Sequence, residues 1–186
     1  MKKILLLFVA IMLQIPVMKA QLTTSDELGV GLRFQKTEQL YWENGVGLDY
    51  TSDVLLKKHI HLKMSYATSR LGSAMIGNAV RQDNFLVGAD WHFRPQKPFQ
   101  IFAGLNTGFF HADMENSTFD VLPHNSLLLS GEAGLFYKFK FPLAASLSVG
   151  YNLITGDGVT GPGTLFPVFY QLSVFYRIPV ESSKQY

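Results

Sequence analysis

Large apolar side chains recur at every second position in eight separate segments of this chain. The stretch KHIHLKMSY at 58–66 shows the pattern, because Ile60, Leu62, Met64 and Tyr66 alternate with polar residues. Successive side chains of a β-strand point to opposite faces, so a period of two predicts a strand with one apolar and one polar face. The eight segments lie at about 27–36, 44–52, 58–66, 83–94, 99–111, 126–139, 142–153 and 167–178.

The links between these segments alternate in length. The short links are 53–57, 95–98 and 140–141, and the longer ones are 37–43, 70–82, 112–125 and 154–166. Segments of about 9–14 residues have the length that a tilted membrane-spanning strand needs. The sequence therefore predicts an all-β fold, a closed eight-stranded antiparallel up-and-down transmembrane β-barrel with both termini at the end of the short links.

Alternation alone fits two barrels of opposite orientation. A soluble lipocalin-type barrel places its apolar side chains inside, whereas an outer-membrane barrel turns them towards lipid and keeps polar groups in its lumen. Charged residues make up only 16% of the chain, against about 25% in an ordinary soluble domain. The polar faces consist mainly of Gly, Ser, Asn and Gln, which suit the narrow interior of an eight-stranded barrel. This composition favours the membrane orientation.

Aromatic residues are predicted to form two girdles, one at each rim of the barrel. If odd-numbered strands run outward from the periplasm, one set falls at the periplasmic rim and a second set falls at the outer rim. Such belts at both interfaces are typical of membrane barrels. The periplasmic set is Tyr50, Trp91, Phe93, Phe99, Tyr137, Phe139 and Tyr176, and the outer set is Phe34, Tyr66, Phe85, Phe109, Tyr151 and Tyr170.

The first twenty residues, MKKILLLFVAIMLQIPVMKA, differ from the rest of the chain. A basic start, an apolar run from Ile4 to Leu13 and a small residue at Ala20 are typical of a secretory signal peptide. We expect export through the Sec pathway and a mature barrel domain over 21–186. The chain has no Cys, so disulfides and thiolate chemistry are excluded, and a net charge of +2 gives no argument for a nucleic-acid partner.

The leader, the eight strands and the final segment FPVFYQLSVFYRI together resemble the small OmpA/OmpX-type outer-membrane barrels. Gln21 after the cleavage point is similar to the start of outer-membrane β-barrel domain proteins of Bacteroidetes-type bacteria, a group that includes PorT-like proteins. The resemblance implies a Gram-negative outer membrane, contact with its lipid and lipopolysaccharide, and insertion by the barrel-assembly machinery. One departure is that PVESSKQY follows Ile178, where such proteins usually end on an aromatic residue.

Ionisable residues on the polar faces are predicted to form a network inside the lumen, because buried charges require partners. The predicted members are Arg33, Asp49, His59, His61, Lys63, Asp90, His92, Glu132 and Arg177. Two His at i and i+2 on one strand, with ligands from a neighbour, could instead share a metal ion. We favour the network and expect neither a metal nor a cofactor.

Two further motifs carry weak chemical signals. His124-Asn125-Ser126 is similar to the His-x-Ser element of lipid A 3-O-deacylases, with Glu132 as the carboxylate that would orient the His. We interpret it as a loop-to-strand junction. The stretch GDGVTGPG at 156–163 is glycine-rich, but no Lys-Ser/Thr follows it, so it is interpreted as a turn.

The sequence thus predicts an integral outer-membrane barrel without enzymatic activity. The expected role is structural or interactive, as a loop platform or as a subunit of an assembly with other envelope proteins. A narrow porin-like path for solutes or ions is the first alternative, because eight strands leave no wide pore. A lipid A-modifying enzyme and a soluble lipocalin-like binder follow as the third and fourth.

Overall fold

A computed structural model describes residues 26–37, 42–73, 77–114, 124–155 and 168–180. The predicted signal peptide at 1–20 and the glycine-rich stretch at 156–163 lie outside the described residues. Within the described ranges, no helix is long and apolar enough to cross a membrane.

Eight antiparallel strands form one closed barrel, and each strand pairs with its neighbours in chain order. The strands are β1 (Asp26–Thr37), β2 (Trp42–Thr51), β3 (Ile60–Ser73), β4 (Gly77–His92), β5 (Phe99–Met114), β6 (Asn125–Lys138), β7 (Leu143–Thr155) and β8 (Val168–Val180). The first and last strands close the barrel in a continuous register from Asp26↔Val180 to Thr37↔Phe169. Closure leaves no free edge, so the backbone groups of all eight strands have ladder partners.

The predicted all-β barrel is confirmed, but the predicted alternation of short and long links is wrong in part, because the link 52–59 is longer than the links 38–41 and 74–76. The segment 70–82 was expected to be a long link, whereas β3 continues to Ser73 and β4 begins at Gly77, with a register shift between Leu71 and Gly72. The apolar alternation ends near Tyr66 and Phe85, while the hydrogen-bonded ladder continues past it. The period-two pattern of apolar residues therefore marks only the part of a strand that has an apolar face, because backbone pairing itself does not depend on side-chain polarity.

Three links join neighbouring strands at one end of the barrel. Residues 52–59, 93–98 and 139–142 connect the strands at the end that holds Asp26 and Val180, which we call the short-turn end. In the first of these turns three consecutive residues, Leu56, Lys57 and Lys58, have φ of 48°, 56° and 67°. Left-handed backbone is uncommon for residues other than glycine. This run reverses the chain just before β3 begins.

The apolar faces point outward, and the polar faces point into the barrel. Leu62, Val87, Leu147 and Leu172 are each between 44% and 57% exposed on the exterior. Residues on the opposite face of the strands include Asp90 and Glu132, which are 4% and 7% exposed. The membrane-type orientation predicted from composition is therefore the observed one, and a lipocalin-type barrel with an apolar interior is not.

Inward-facing glycines make room for large side chains in the narrow lumen. A Cβ added to Gly31 would lie 2.8 Å from the Phe175 side chain, and one added to Gly150 would overlap the Phe169 ring. Both phenylalanines are buried. The small residues of the polar face thus serve packing as well as polarity, because a larger residue at these positions would collide with a ring across the ladder.

Candidate functional site

The lumen contains most of the ionisable residues that the sequence assigned to it. Six of the predicted members are buried there, while Lys63 and Arg177 are half-buried. The six buried residues are Arg33, Asp49, His61, Asp90, His92 and Glu132. The network forms three groups along the barrel, and a fourth group lies at the short-turn end.

The central group surrounds the ammonium of Lys63, which is carried by β3. Its Nζ lies 2.7 Å from Asp90 Oδ2 on β4 and 2.5 Å from Glu132 Oε1 on β6, so one cation faces two carboxylates. Glu132 also accepts hydrogen bonds from Asn106 Nδ2 at 2.9 Å and from Ser148 Oγ at 2.6 Å. This group ties β3, β4, β5, β6 and β7 together across the lumen, and charge-assisted bonds of this kind are the stronger ones.

A second group lies further from the short-turn end. The Arg33 guanidinium donates to Ser65 Oγ and Gln35 Oε1, each at 2.5 Å. Gln35 in turn donates to Glu43 Oε2 at 3.2 Å, and Asn84 donates to the same oxygen at 3.1 Å. These residues come from β1, β2, β3 and β4, so this group adds β1 and β2, which contribute no side chain to the central group.

A third group, closer to the short-turn end, contains two stacked imidazoles. The rings of His61 and His92 lie 3.7 Å apart, and His61 Nδ1 lies 3.0 Å from Asp49 Oδ1. His92 Nδ1 lies 2.6 Å from Gln100 Oε1. Across the described ranges no set of three His, Cys, Asp or Glu side chains is arranged to hold a metal ion. The arrangement is that of a hydrogen-bonded stack.

His59 departs from the predicted network. It precedes β3, and its ring stacks on the exterior Trp91 with centroids 5.0 Å apart, while Nδ1 lies 2.7 Å from the His92 carbonyl oxygen. The prediction extended the strand alternation back to residue 59. The left-handed run at Leu56–Lys58 breaks that alternation, because the strand begins only at Ile60.

A fourth group closes the short-turn end of the lumen around one carboxylate. Arg177 NH1 donates to Glu27 Oε2 at 2.8 Å, while the Lys138 and Lys58 ammonium groups lie 3.6 Å and 3.7 Å from that carboxylate. The predicted lumenal network included Arg177 but not Glu27 or Lys138, although Lys138 lies on the polar face of the sixth predicted segment. Their position at strand ends, where inward parity still holds, is the signal that would have found them.

Phenylalanine and leucine side chains fill the lumen between the polar groups. One buried apolar cluster contains Leu86, Phe110, Ala112 and Leu128, and a second contains Phe102, Phe136, Ala144 and Phe175. None of these apolar residues belongs to the lumenal network predicted from the sequence. Their strand parity was available, yet their apolar character masked it, since Leu128 and Phe136 each lie between outward apolar residues.

The His-x-Ser motif, which we interpreted as a loop-to-strand junction, is not assembled around Glu132. His124 is exposed with Nδ1 3.2 Å from the Ala112 carbonyl oxygen, and the Ser126 hydroxyl donates to the Leu127 carbonyl oxygen at 3.1 Å. Glu132 lies six residues further along β6, about 20 Å at the usual rise of a strand, and is engaged by Lys63. It is therefore not placed to orient the His124 ring.

Both predicted aromatic girdles lie on the exterior or at its rims. Eight of the predicted residues are exposed and the other five are half-buried. The Tyr50 hydroxyl donates to Asp26 and the Tyr66 hydroxyl donates to Asp83, each at 2.8 Å, at opposite ends of the barrel. Phe139 lies just beyond β6, packed between the rings of Tyr137 and Phe141. Aromatic rings towards the apolar band with hydroxyls towards the ends are the arrangement of interfacial belts.

Comparison with solved structures places this geometry in a class. The chain is similar to the N-terminal β-barrel domain of Pseudomonas aeruginosa OprF (TM-score 0.54, 15% identity, 82% of this chain and 97% of that chain). It is also similar to Neisserial surface protein A, NspA (TM-score 0.54, 13% identity, 83% and 96%). A third similar structure is the outer membrane protein OprG from Pseudomonas aeruginosa (TM-score 0.52, 14% identity, 84% and 97%).

These likenesses concern the fold, since all three identities are at or below 15%. The chain therefore has the closed eight-stranded barrel of outer-membrane proteins. No protein-family model matches the chain, and no curated protein matches its sequence.

Proposed function

We propose that this chain is an integral outer-membrane protein whose sealed barrel serves a structural or interaction role in the cell envelope. The short turns lie in the periplasm, and the other end presents its links outside the cell. In this role the barrel acts as a platform for its external links or as a subunit of an assembly with other envelope proteins. The observation that carries the proposal is the orientation of the barrel wall, whose outer face is apolar and whose inner face carries the charged residues.

The dimensions of the exterior band support insertion in a membrane. On β5 the outward residues from Phe99 to Phe109 are apolar except for Thr107. Ten residue steps span about 33 Å along a strand, which a tilt of roughly 40° reduces to about 25 Å, the height of the apolar band of outer-membrane barrels. Exposure of this much apolar surface to water would cause association.

The filled lumen argues against the transport alternative. Two apolar clusters and the cross-lumen ion pairs occupy the interior where a solute or ion would have to pass. We expect purified protein in planar bilayers to give no unitary conductance. A Phe102→Ala/Phe136→Ala variant, which empties part of the lumen, provides the sensitivity control. Steady conductance of the unmodified protein would contradict the sealed-barrel proposal and favour a narrow solute or ion path.

Membrane integration and partner binding need separate measurements. We expect the protein in the outer-membrane fraction, released by detergent but not by carbonate or high salt. Release without detergent would favour a soluble binder. Native complexes solubilised in mild detergent should contain other envelope proteins, and a monomer free of partners would leave only the structural role. Loss of a lipid A deacylation activity in Ser126→Ala would establish the enzymatic alternative and overturn the proposal.

The finer assignments form part of the same proposal. Export through the Sec pathway, insertion by the barrel-assembly machinery and contact with lipopolysaccharide follow from a Gram-negative outer-membrane location. The likeness of the sequence to Bacteroidetes-type barrel domains, including PorT-like proteins, suggests the lineage. Cleavage of an exported chain after Ala20, measured by mass spectrometry of the mature protein, tests the leader directly.

A further inference from the structure

We propose that the periplasmic end of the barrel binds the headgroups of anionic phospholipids in the adjoining leaflet, through a collar of exposed cations. The collar consists of Lys57, Arg94, Lys97 and Lys140. The inference rests on the membrane-spanning orientation proposed above. It adds a ligand class, a phosphodiester lipid, and a defined surface on the protein.

All three short turns contribute to the collar. Lys57 lies in the turn between β2 and β3, Arg94 and Lys97 in the turn between β4 and β5, and Lys140 in the turn between β6 and β7. Each of these four side chains is exposed. The cations are therefore distributed around the rim, as binding to a surrounding leaflet requires, instead of forming one pocket.

The collar is distinct from the charges that close the lumen. Lys58, Lys138 and Arg177 surround Glu27 and are already neutralised in part. The other carboxylates of the described residues at this end are Asp26, which accepts from Tyr50, and Asp53. Cations thus outnumber carboxylates at this end, and the excess lies on the exposed rim.

Exposed apolar side chains flank the collar cations in the sequence. Phe93 precedes Arg94, Phe99 follows Lys97 by two residues, and Phe141 follows Lys140; these three rings are between 52% and 57% exposed. In the first turn, Leu56 is 56% exposed next to Lys57. A cation beside a ring that faces hydrocarbon matches a lipid, which presents its phosphate directly above its acyl chains. An acidic protein would offer charge without that apolar layer.

The opposite end carries the opposite charge in its links. The residues between β1 and β2, β3 and β4, β5 and the bend at His124, and β7 and β8 contain no Lys or Arg. The acidic residues in those links are Glu38, Glu115, Asp120 and Asp157. Cationic residues near a membrane surface are attracted to anionic lipid, whereas carboxylates are not. The links at the short-turn end therefore carry the lipid-binding charge, and the links at the opposite end do not.

Trp91 provides a local probe, because it is 42% exposed on the exterior two residues before Phe93. The chain has two tryptophans, so Trp42→Phe leaves Trp91 as the only one. This variant would be reconstituted in vesicles that contain brominated phosphatidylglycerol or brominated phosphatidylcholine. Quenching of Trp91 fluorescence then reports the relative binding of the two lipids at this rim.

We expect phosphatidylglycerol to be preferred at least about threefold at low salt, with the preference lost near 0.5 M salt because the charges are screened. The preference should fall towards unity when the four collar residues are replaced by Gln (Lys57→Gln, Arg94→Gln, Lys97→Gln and Lys140→Gln). A control with two cations removed from the opposite end, Lys36→Gln/Arg81→Gln, should keep it.

Equal quenching by the two lipids at low salt would overturn the proposal, and the collar would then fit an acidic periplasmic protein better than a lipid. A preference that survives in the fourfold variant would overturn it as well. The salt dependence is measured on the Trp42→Phe protein alone, so the test stands even if the fourfold variant folds poorly. Failure of membrane insertion, seen as release without detergent, would instead refute the barrel's proposed location.

Discussion

The inner and outer walls of this barrel are built from the same eight strands, yet they are held by different forces. Inside, each of the central charges contacts a particular partner, as Lys63 contacts Asp90 and Glu132. Outside, apolar side chains such as Leu129, Leu147 and Leu172 lie about half exposed on the surface. The adjacent leucines Leu128 and Leu129 show the contrast, since the first is 1% and the second 47% exposed.

This difference teaches that the two walls tolerate change differently. Acyl chains are fluid and can fill the space left by a shortened exterior side chain. The lumen is closed, so a lost atom leaves a void and a lost charge leaves its partner buried and unpaired. The comparison predicts large effects for changes inside and small effects for apolar exchanges outside.

The largest effect is expected for Lys63→Met. It leaves Asp90 and Glu132 facing each other without their cation, which should lower the free energy of unfolding by about 3–5 kcal/mol. The measurement is equilibrium unfolding in vesicles, followed by tryptophan fluorescence. The matched control is Lys97→Met, which removes an exposed cation and should change stability by less than about 0.5 kcal/mol.

A rescue variant sharpens that result. Lys63→Met/Asp90→Asn/Glu132→Gln removes both orphaned charges and should recover most of the lost stability, because neutral side chains can remain buried at lower cost. Equal stability of the Lys63→Met variant and the unmodified protein would show that the central group does not hold the lumen together.

A charge placed on the exterior should have the next largest effect. Leu147→Arg lies near the middle of β7 on the outer wall and should cost about 2–4 kcal/mol, because an arginine at the bilayer midplane is poorly solvated. Phe141→Arg, in the turn after β6, should cost only about 0–1 kcal/mol, because it lies near the interface. Both are measured by unfolding in vesicles of one lipid. Equal losses of unfolding free energy in the two variants would contradict the membrane depths assigned to Leu147 and Phe141.

The smallest effect is expected at Leu129, which is compared with its neighbour Leu128. Leu128→Ala should cost about 2–3 kcal/mol, in the lower part of the range for buried Leu→Ala changes, because Leu86 and Phe110 can shift into the space. Leu129→Ala should cost less than about 1 kcal/mol, since lipid replaces the lost methyl groups. A larger loss for Leu129→Ala than for Leu128→Ala would reverse the assigned faces of β6.

Much of the fold was predictable because alternation is a local property. The predicted starts and ends of β1, β5, β6, β7 and β8 lie within three residues of the observed ones. The outer extensions of β3 and β4 were not predicted, since their pairing continues beyond the apolar stretch. His59 was misplaced for a related reason, because the left-handed turn at Leu56–Lys58 has no glycine to mark it.

The candidate site was predictable as a set of residues but not as a set of contacts. Parity alone placed Lys63, Asp90 and Glu132 on the inner face, although they lie on three different strands. Which of them meet depends on the stagger of the strands around the barrel, and no single strand contains that information. The same holds for the stacking of His61 on His92, which follows from the β3–β4 register.

The sequence by itself determined the number of strands, the face that most strand residues occupy and the orientation of the wall, because side-chain period and composition act within one strand. Only the tertiary structure decided how the lumen is filled. Closing eight staggered strands into a narrow cylinder brings Phe102, Phe136 and Phe175 into one cluster and sets two carboxylates against one ammonium. Those contacts depend on closure and shear, which are properties of the whole barrel.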